Sequence, residues 1–171
     1  MTASPADTPR AVVVLAAGAG TRMRSERPKP LHRVGGASLL RHVLATARAA
    51  EPARLVVVAG EGFDLVAAET AAFAPEAQIV EQTARLGTGH AVRCAAPALD
   101  GFSGVALVLY ADTPLLRGET LGGLIGRVAD GAAVAVLGFE AATPGEYGRL
   151  VRDAAGRLEG IVEAKEATAA Q

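Results

Sequence analysis

The chain has 171 residues, half of them hydrophobic and one fifth charged, with 20 glycines and 9 prolines. That is enough for one domain with a sizeable core, and the composition is globular rather than disordered or fibrous. A formal net charge of −1 argues against the basic field of a nucleic-acid binder. The single cysteine, Cys94, excludes an intrachain disulfide, and no apolar run reaches the length of a membrane-spanning helix.

Residues 1–10 read as a loose tail and residues 11–171 as one domain. "AVVVLA" from Ala11 is a predicted strand. Arg10 before this apolar run has the outline of a signal peptide, but the run is valine-rich, as a buried strand is, and leads into "TRMRSERPK". A cytoplasmic address is the simpler reading. Helical periodicity follows in "ASLLRHVLATARAA" from Ala37, then a strand in "RLVVVAG" from Arg54 and a helix in "DLVAAETAAFA" from Asp64. "AQIVEQ" from Ala77 is a short strand and "GTGHAVRCAAPAL" from Gly87 a helix. "GVALVLYAD" from Gly104 reads as a strongly buried strand, "GETLGGLIGRVAD" from Gly118 as a helix, and "AAVAVLGFE" from Ala132 as another strand. After Thr143 the pattern changes to two short strands about a turn at "AAG". Near-continuous apolar strands alternating with helices imply an α/β fold, with a mostly parallel sheet covered by helices on both faces.

Ligands of such sheets sit beyond the carboxyl ends of the strands. The first such loop, "GAGTRM" from Gly18, is not a dinucleotide fingerprint, because Met23 stands where the third glycine belongs. It is not a P-loop either, because no Gly-Lys-Ser/Thr follows Gly18 at the required distance. What remains is a bare turn followed by Arg22, Arg24, Arg27, Lys29 and Arg33. Two readings stand level: a polyphosphate cradle, or a tight strand-to-helix turn with a solvated basic face. The chain's only lysines are Lys29 and Lys165 among 17 basic residues, which suggests positions where a compact ammonium matters. Pro28 and Pro30 hold Lys29 in a stiff, extended segment. Further on, Thr88 can cap the next helix, and the Gln82 amide offers the donor and acceptor that a pyrimidine edge asks for. An ordinary capped helix start explains the same residues. His90 and Cys94 read as packing. Asp112 ends a central buried strand, which is costly unless it meets a cation; Mg²⁺ beside a polyphosphate is favoured over a turn-forming aspartate before Pro114.

Taken together, "LAAGAGTRMRSERPKPLHRVGG", "EQTARLGTGHAV", "YADTPL", "YGRLV" and "GIVEAKEAT" resemble the uridylyltransferase (pyrophosphorylase) domain of the bifunctional bacterial enzyme that makes UDP-N-acetylglucosamine. The resemblance runs in family order from about Ala11 to Gln171. It implies a three-layer, Rossmann-like nucleotidyltransferase fold, incomplete on its C-terminal side. It also implies transfer of a uridylyl group from UTP to N-acetylglucosamine 1-phosphate, with Mg²⁺ as cofactor and pyrophosphate released. Residue by residue, it gives Leu15, Ala16, Ala17 and Gly18 to the uridine and phosphate turn, Arg22 and Lys29 to phosphates, and Gln82, Gly87 and Thr88 to uracil. It gives Asp112 to Mg²⁺, and Gly148, Glu163 and Lys165 to the sugar phosphate. Ala111 stands where the family has glycine. The family's sugar site continues beyond Gln171 with an asparagine, and a second metal ligand follows. The expectation is therefore that this chain binds UTP, holds the sugar phosphate feebly because Glu163 lies near a free end, and turns over little. Two alternatives remain: a related nucleotidyltransferase with another base or acceptor, and a nucleotide-binding fragment without catalysis.

Overall fold

The computed structural model describes residues 8–18, 20 and 23–168. It divides into two compact units, Met1–Ala135 and Val136–Gln171.

The first unit is built on a four-stranded sheet in the order β5-β4-β1-β6, parallel throughout. Its strands are β1 (Arg10–Ala16), β4 (Arg54–Ala59), β5 (Gln78–Glu81) and β6 (Val105–Tyr110). A two-stranded antiparallel ribbon, β2 (Arg33–Val34) and β3 (Ala37–Ser38), lies between β1 and the first helix. The period of two along β1 sorts its side chains. Val12, Val14 and Ala16 enter a core with helices α1 (Leu39–Ala49), α2 (Phe63–Phe73) and α4 (Gly118–Ala129). Val13, Leu15 and Ala17 enter a second core under α3 (Thr88–Cys94). Helices therefore cover both faces, giving the three layers expected. None of the described helices is long and apolar enough to cross a membrane.

The chain leaves β1, builds outward through β4 and β5, then returns to the other side of β1 as β6. That reversal opens a crevice between the carboxyl ends of β1 and β6, the place where open parallel sheets bind ligands.

Four elements differ from their sequence reading. The strand predicted over 132–140 is absent; Val134, Leu137 and Phe139 are exposed there. Apolar composition supplies side chains for a core but not the hydrogen-bonding neighbour that a ladder requires. β6 is an edge strand, not a central buried one. Val105, Leu107 and Leu109 are buried while Val108 and Tyr110 are exposed, because the α3 layer packs over β1 and β4 and stops short of it. The helix predicted over 87–99 ends at Cys94 and passes into a 3₁₀ turn at Ala96–Leu99, since Pro97 has no N–H to continue an α-helix. Lys29–Leu31 is a 3₁₀ turn rather than extended chain; Pro28 and Pro30 fix φ at a value that both conformations share.

Ser38 joins two helices. Its Oγ accepts from Arg41 N at 3.1 Å, capping α1, and donates to Glu69 Oε1 on α2 at 2.7 Å. Arg41 Nε lies 2.8 Å from the same carboxylate. Burial alone would raise the Glu69 pKa, but the Ser38 hydrogen bond and the Arg41 charge outweigh it and hold the carboxyl below the ordinary glutamate range. A lowered carboxyl contributes stability that is present above its unfolded pKa and lost as pH falls through its folded one. Urea midpoints measured from about pH 6 down to about pH 3 should therefore decline. The decline should be shallower in Glu69→Gln, and equal slopes in the two proteins would contradict the assignment.

The basic segment is seated by two glycines. Gly20 has φ +58, and a Cβ there would lie 2.6 Å from Lys29 Cβ. Gly62, at the N-cap of α2, has φ +72, and a Cβ would lie 2.3 Å from Pro28 Cγ. The proline ring cannot rotate away. Gly62→Ala should cost about 1–3 kcal/mol in denaturant unfolding. Gly122, on α4 with open space around it, is the control, where alanine should stabilise by about 0.5–1 kcal/mol. Equal effects at the two sites would show that Pro28 does not rest on Gly62.

In the second unit, β7 (Arg149–Arg152) and β8 (Leu158–Val162) form the expected hairpin. Asp153 closes it: Oδ1 accepts from Ala155 N and Arg157 N, and Oδ2 from Arg157 Nε. The backbone hydrogen bond from Arg157 N leads the effects that lower its pKa.

Candidate active site

A cleft of about 300 Å³ opens at the carboxyl ends of the first unit's strands. Its floor is apolar and tight: Leu15 and Ala16 from β1, Ala17 just after it, Ala91 from α3, and Ala111 after β6. Small side chains there bring a ligand close to the backbone. That backbone is held by bonds that extend the ladders, from Ala111 N to Leu15 O at 3.0 Å and from Gln82 N to Ala59 O at 2.7 Å. Polar groups stand around the rim: Lys29, Gln82, Arg85, Thr88 and Asp112.

At one end Lys29 and Asp112 meet. Nζ lies 2.5 Å from Oδ2, with the side chains about one third exposed, 35 and 38%. These residues are 83 positions apart and come together because the 3₁₀ turn and the end of β6 flank the same crevice. The sequence reading assigned them separately. An aspartate ending an apolar strand is costly unless it meets a cation, and the cation that Asp112 meets in the structure is Lys29. The turn behind Asp112 is closed by Thr113, whose N and Oγ1 both donate to Tyr110 O, at 3.2 and 2.8 Å.

At the other end lies Gln82, buried at 7% exposure just past β5. Its Nε2 is 3.1 Å from Gly87 O and 3.0 Å from His90 Nδ1. Thr88 does not cap α3: the N-cap is Gly87, with no side-chain hydrogen bond, and Thr88 is the first helical residue.

The cleft thus gathers Leu15, Ala16, Ala17, Gly18, Lys29, Gln82, Gly87, Thr88 and Asp112 from the residues read in the sequence. Arg22 lies outside the described residues. Gly148, Glu163 and Lys165 belong to the second unit. There Gly148 immediately precedes the Arg149–Val162 pair and Glu163 immediately follows it. The backbone of Glu163 is tied into a turn. Its carbonyl accepts from Glu166 N at 2.9 Å and Ala167 N at 3.0 Å, in a turn that includes Lys165. Sequence reasoning missed Arg85, which lines the cleft while its guanidinium lies 2.5 Å from Glu61 Oε2. It also missed Tyr110. Arg85 stands inside the "EQTARLGTG" motif, where its charge was the available signal.

Among the described residues no three His, Cys, Asp or Glu side chains converge as a metal cage. A hard divalent ion that takes one carboxylate and completes its shell with phosphate and water needs no such cage. Asp112 fits that role: the contact from Lys29 is to Oδ2, and a side chain 38% exposed leaves room for an ion beside the carboxylate.

A parallel sheet with a crevice at the strand reversal, small residues on its floor and a Lys–Asp pair at one end defines an open α/β domain with its ligand site at the strand ends, an arrangement that suits a nucleotide. The MobA-like NTP transferase domain matches residues 12–170, and the chain belongs to that family. It is 58% identical over 158 residues to the bifunctional protein GlmU of Dinoroseobacter shibae, a match that covers 92% of this chain and 35% of GlmU. The chain thus spans about a third of the length of that relative. Among solved structures, HddC from Yersinia pseudotuberculosis superposes with a TM-score of 0.68 at 20% identity, over 89% of this chain and 68% of that one. Rv0371c from Mycobacterium tuberculosis, solved as a manganese complex, superposes with a TM-score of 0.60 at 24% identity, over 72% and 61%. These likenesses bear on the fold.

Proposed function

We propose that this nucleotidyltransferase domain transfers a uridylyl group from UTP to N-acetylglucosamine 1-phosphate, releasing pyrophosphate, in the cytoplasm. The observation that carries the reading is the polarity of the cleft. A buried amide, Gln82, stands at one end and an ammonium–carboxylate pair, Lys29–Asp112, at the other, with backbone between them. A nucleoside triphosphate has the same polarity. The resemblance of its motifs to the uridylyltransferase domain supports uridine and the amino-sugar phosphate in particular.

In this reading Leu15 to Gly18 lie along the nucleoside and α-phosphate, and Gln82, Gly87 and Thr88 take the uracil. Lys29, with Arg22, neutralises the phosphates. Asp112 holds Lys29 in place and offers Oδ1 to Mg²⁺. Bound there, the ion would supply positive charge to the triphosphate. Gly148, Glu163 and Lys165 are assigned to the sugar phosphate on the resemblance. The acceptor's phosphate oxygen is already anionic and attacks the α-phosphorus in line. The bond from that oxygen to phosphorus forms as the bond to the bridging oxygen of pyrophosphate breaks, and no proton needs to move. The protein therefore needs alignment and charge rather than a general base.

Calorimetry with UTP, CTP, ATP and GTP, followed by a pyrophosphate-release assay with amino-sugar and neutral-sugar 1-phosphates, tests this. The expected result is tightest binding for UTP and release dependent on N-acetylglucosamine 1-phosphate. Preference for another base, or for another acceptor, would replace the reading with a different member of the class. UTP binding with no release on any acceptor would make the chain a nucleotide binder.

A further inference from the structure

The Gln82 amide is held by two groups at once. Its Nε2 faces Gly87 O at 3.1 Å and His90 Nδ1 at 3.0 Å. A peptide carbonyl can only accept, so the amide atom beside Gly87 O is the nitrogen, not the oxygen. That fixes the imidazole too. His90 Nδ1 accepts the second amide proton, and the ring carries its own proton on Nε2. Cys94 Sγ, one helical turn further along α3, lies 3.8 Å from the same Nδ1, whose single lone pair the amide already takes. With both N–H groups committed, Oε1 is the polar atom that Gln82 presents to the cleft. It takes no hydrogen bond from any described residue.

Orientation of this amide decides which pyrimidine it suits. Uracil carries a proton on N3, whereas cytosine carries a lone pair there. An outward oxygen accepts from the first and repels the second; a flipped amide does the reverse. We infer that His90 is a specificity-determining positioning residue, whose Nδ1 adds a second acceptor to Gly87 O, holds the Gln82 amide with Oε1 toward the base and so favours uracil over cytosine. The inference rests on the uridylyl reading above. His90 touches no reacting atom in it and acts through Gln82.

The test is the ratio of CTP to UTP dissociation constants, measured by calorimetry on the full chain and on His90 variants. His90→Leu keeps bulk and removes the acceptor. His90→Asn restores an acceptor oxygen near the place of Nδ1. The wild-type chain should favour UTP. His90→Leu should narrow the ratio by roughly tenfold, the scale of one hydrogen bond's orienting effect, and His90→Asn should recover most of it. A merely structural role for His90 would weaken both nucleotides alike and leave the ratio where it was. That result would overturn the inference while leaving the uridylyl reading intact. A wild-type chain with no preference for UTP would overturn both. Should His90→Leu fail to fold, His90→Gln serves in its place, because its longer amide reaches the Nε2 position and leaves the Nδ1 position without an acceptor. An unchanged ratio there would equally overturn the inference.

Discussion

Asp112→Asn should lower turnover on the order of 100- to 1000-fold while leaving the fold intact, and should weaken the response of activity to Mg²⁺. The scale is that of removing one charged participant from a preorganised electrostatic site. Asparagine keeps the shape and the turn closed by Thr113, but it removes the negative charge from Lys29 and from any cation at Oδ1. The fold should survive because the pair is part-exposed at 35 and 38%, and ion pairs of that kind contribute about 0–1 kcal/mol. Two roles for Asp112 can be separated by titrating Mg²⁺. A carboxylate that binds the ion gives a variant whose half-saturation moves to higher Mg²⁺. One that only holds Lys29 gives a lower plateau at the same half-saturation. Mg²⁺ dependence identical to wild type would remove the metal role.

The residues differ in how far the sequence revealed them. β1, β4 and α1 were legible because an apolar run, or an apolar face at helical spacing, can be buried in few ways. Gly18 was legible as bare backbone because it stands two residues past the end of β1. The segment 132–140 differs for a physical reason: its apolar run supplies side chains for a core, and a strand also requires a partner for its backbone. β6 was misplaced for a related reason, since an apolar edge strand and an apolar central strand have the same composition. The Lys29–Asp112 pair shows the limit for sites. Each residue stood out alone, Lys29 by its rarity and Asp112 by its place at a strand's end. That the two meet depends on β6 returning beside β1, and no local pattern records a crossover. The Gly62–Pro28 contact is hidden in the same way, because neither residue signals its distant neighbour. His90 was read as packing because a histidine inside a helix usually packs. Its bond to Gln82 depends on the loop between β5 and α3 folding back to bring positions 82 and 90 together.

Lys29→Arg should impair the domain almost as severely as Lys29→Met, on the order of 100-fold in turnover. The two substitutions fail for different reasons. Methionine keeps an unbranched stem against Gly20, whose missing Cβ leaves room for Lys29 Cβ, but it supplies no charge to the phosphates. Arginine keeps the charge and changes its shape. Lysine offers a compact ammonium that engages a single oxygen, Oδ2. Guanidinium is a planar fork that prefers both oxygens of a carboxylate at once. Facing Asp112 across so short a gap, it would claim Oδ1 as well, the atom that the proposed mechanism leaves for Mg²⁺. The signature of Lys29→Arg is therefore a raised Mg²⁺ requirement, with activity partly recovered at high Mg²⁺ as the ion competes for the carboxylate. Lys29→Met should show low activity at every Mg²⁺ concentration. Parallel turnover curves against Mg²⁺ for the two variants distinguish these cases. Lys29→Arg within about threefold of wild type, well inside the loss expected from misplacing a catalytic charge, would show that charge alone matters at this position. The scarcity of lysine in this arginine-rich chain would then carry no chemical meaning.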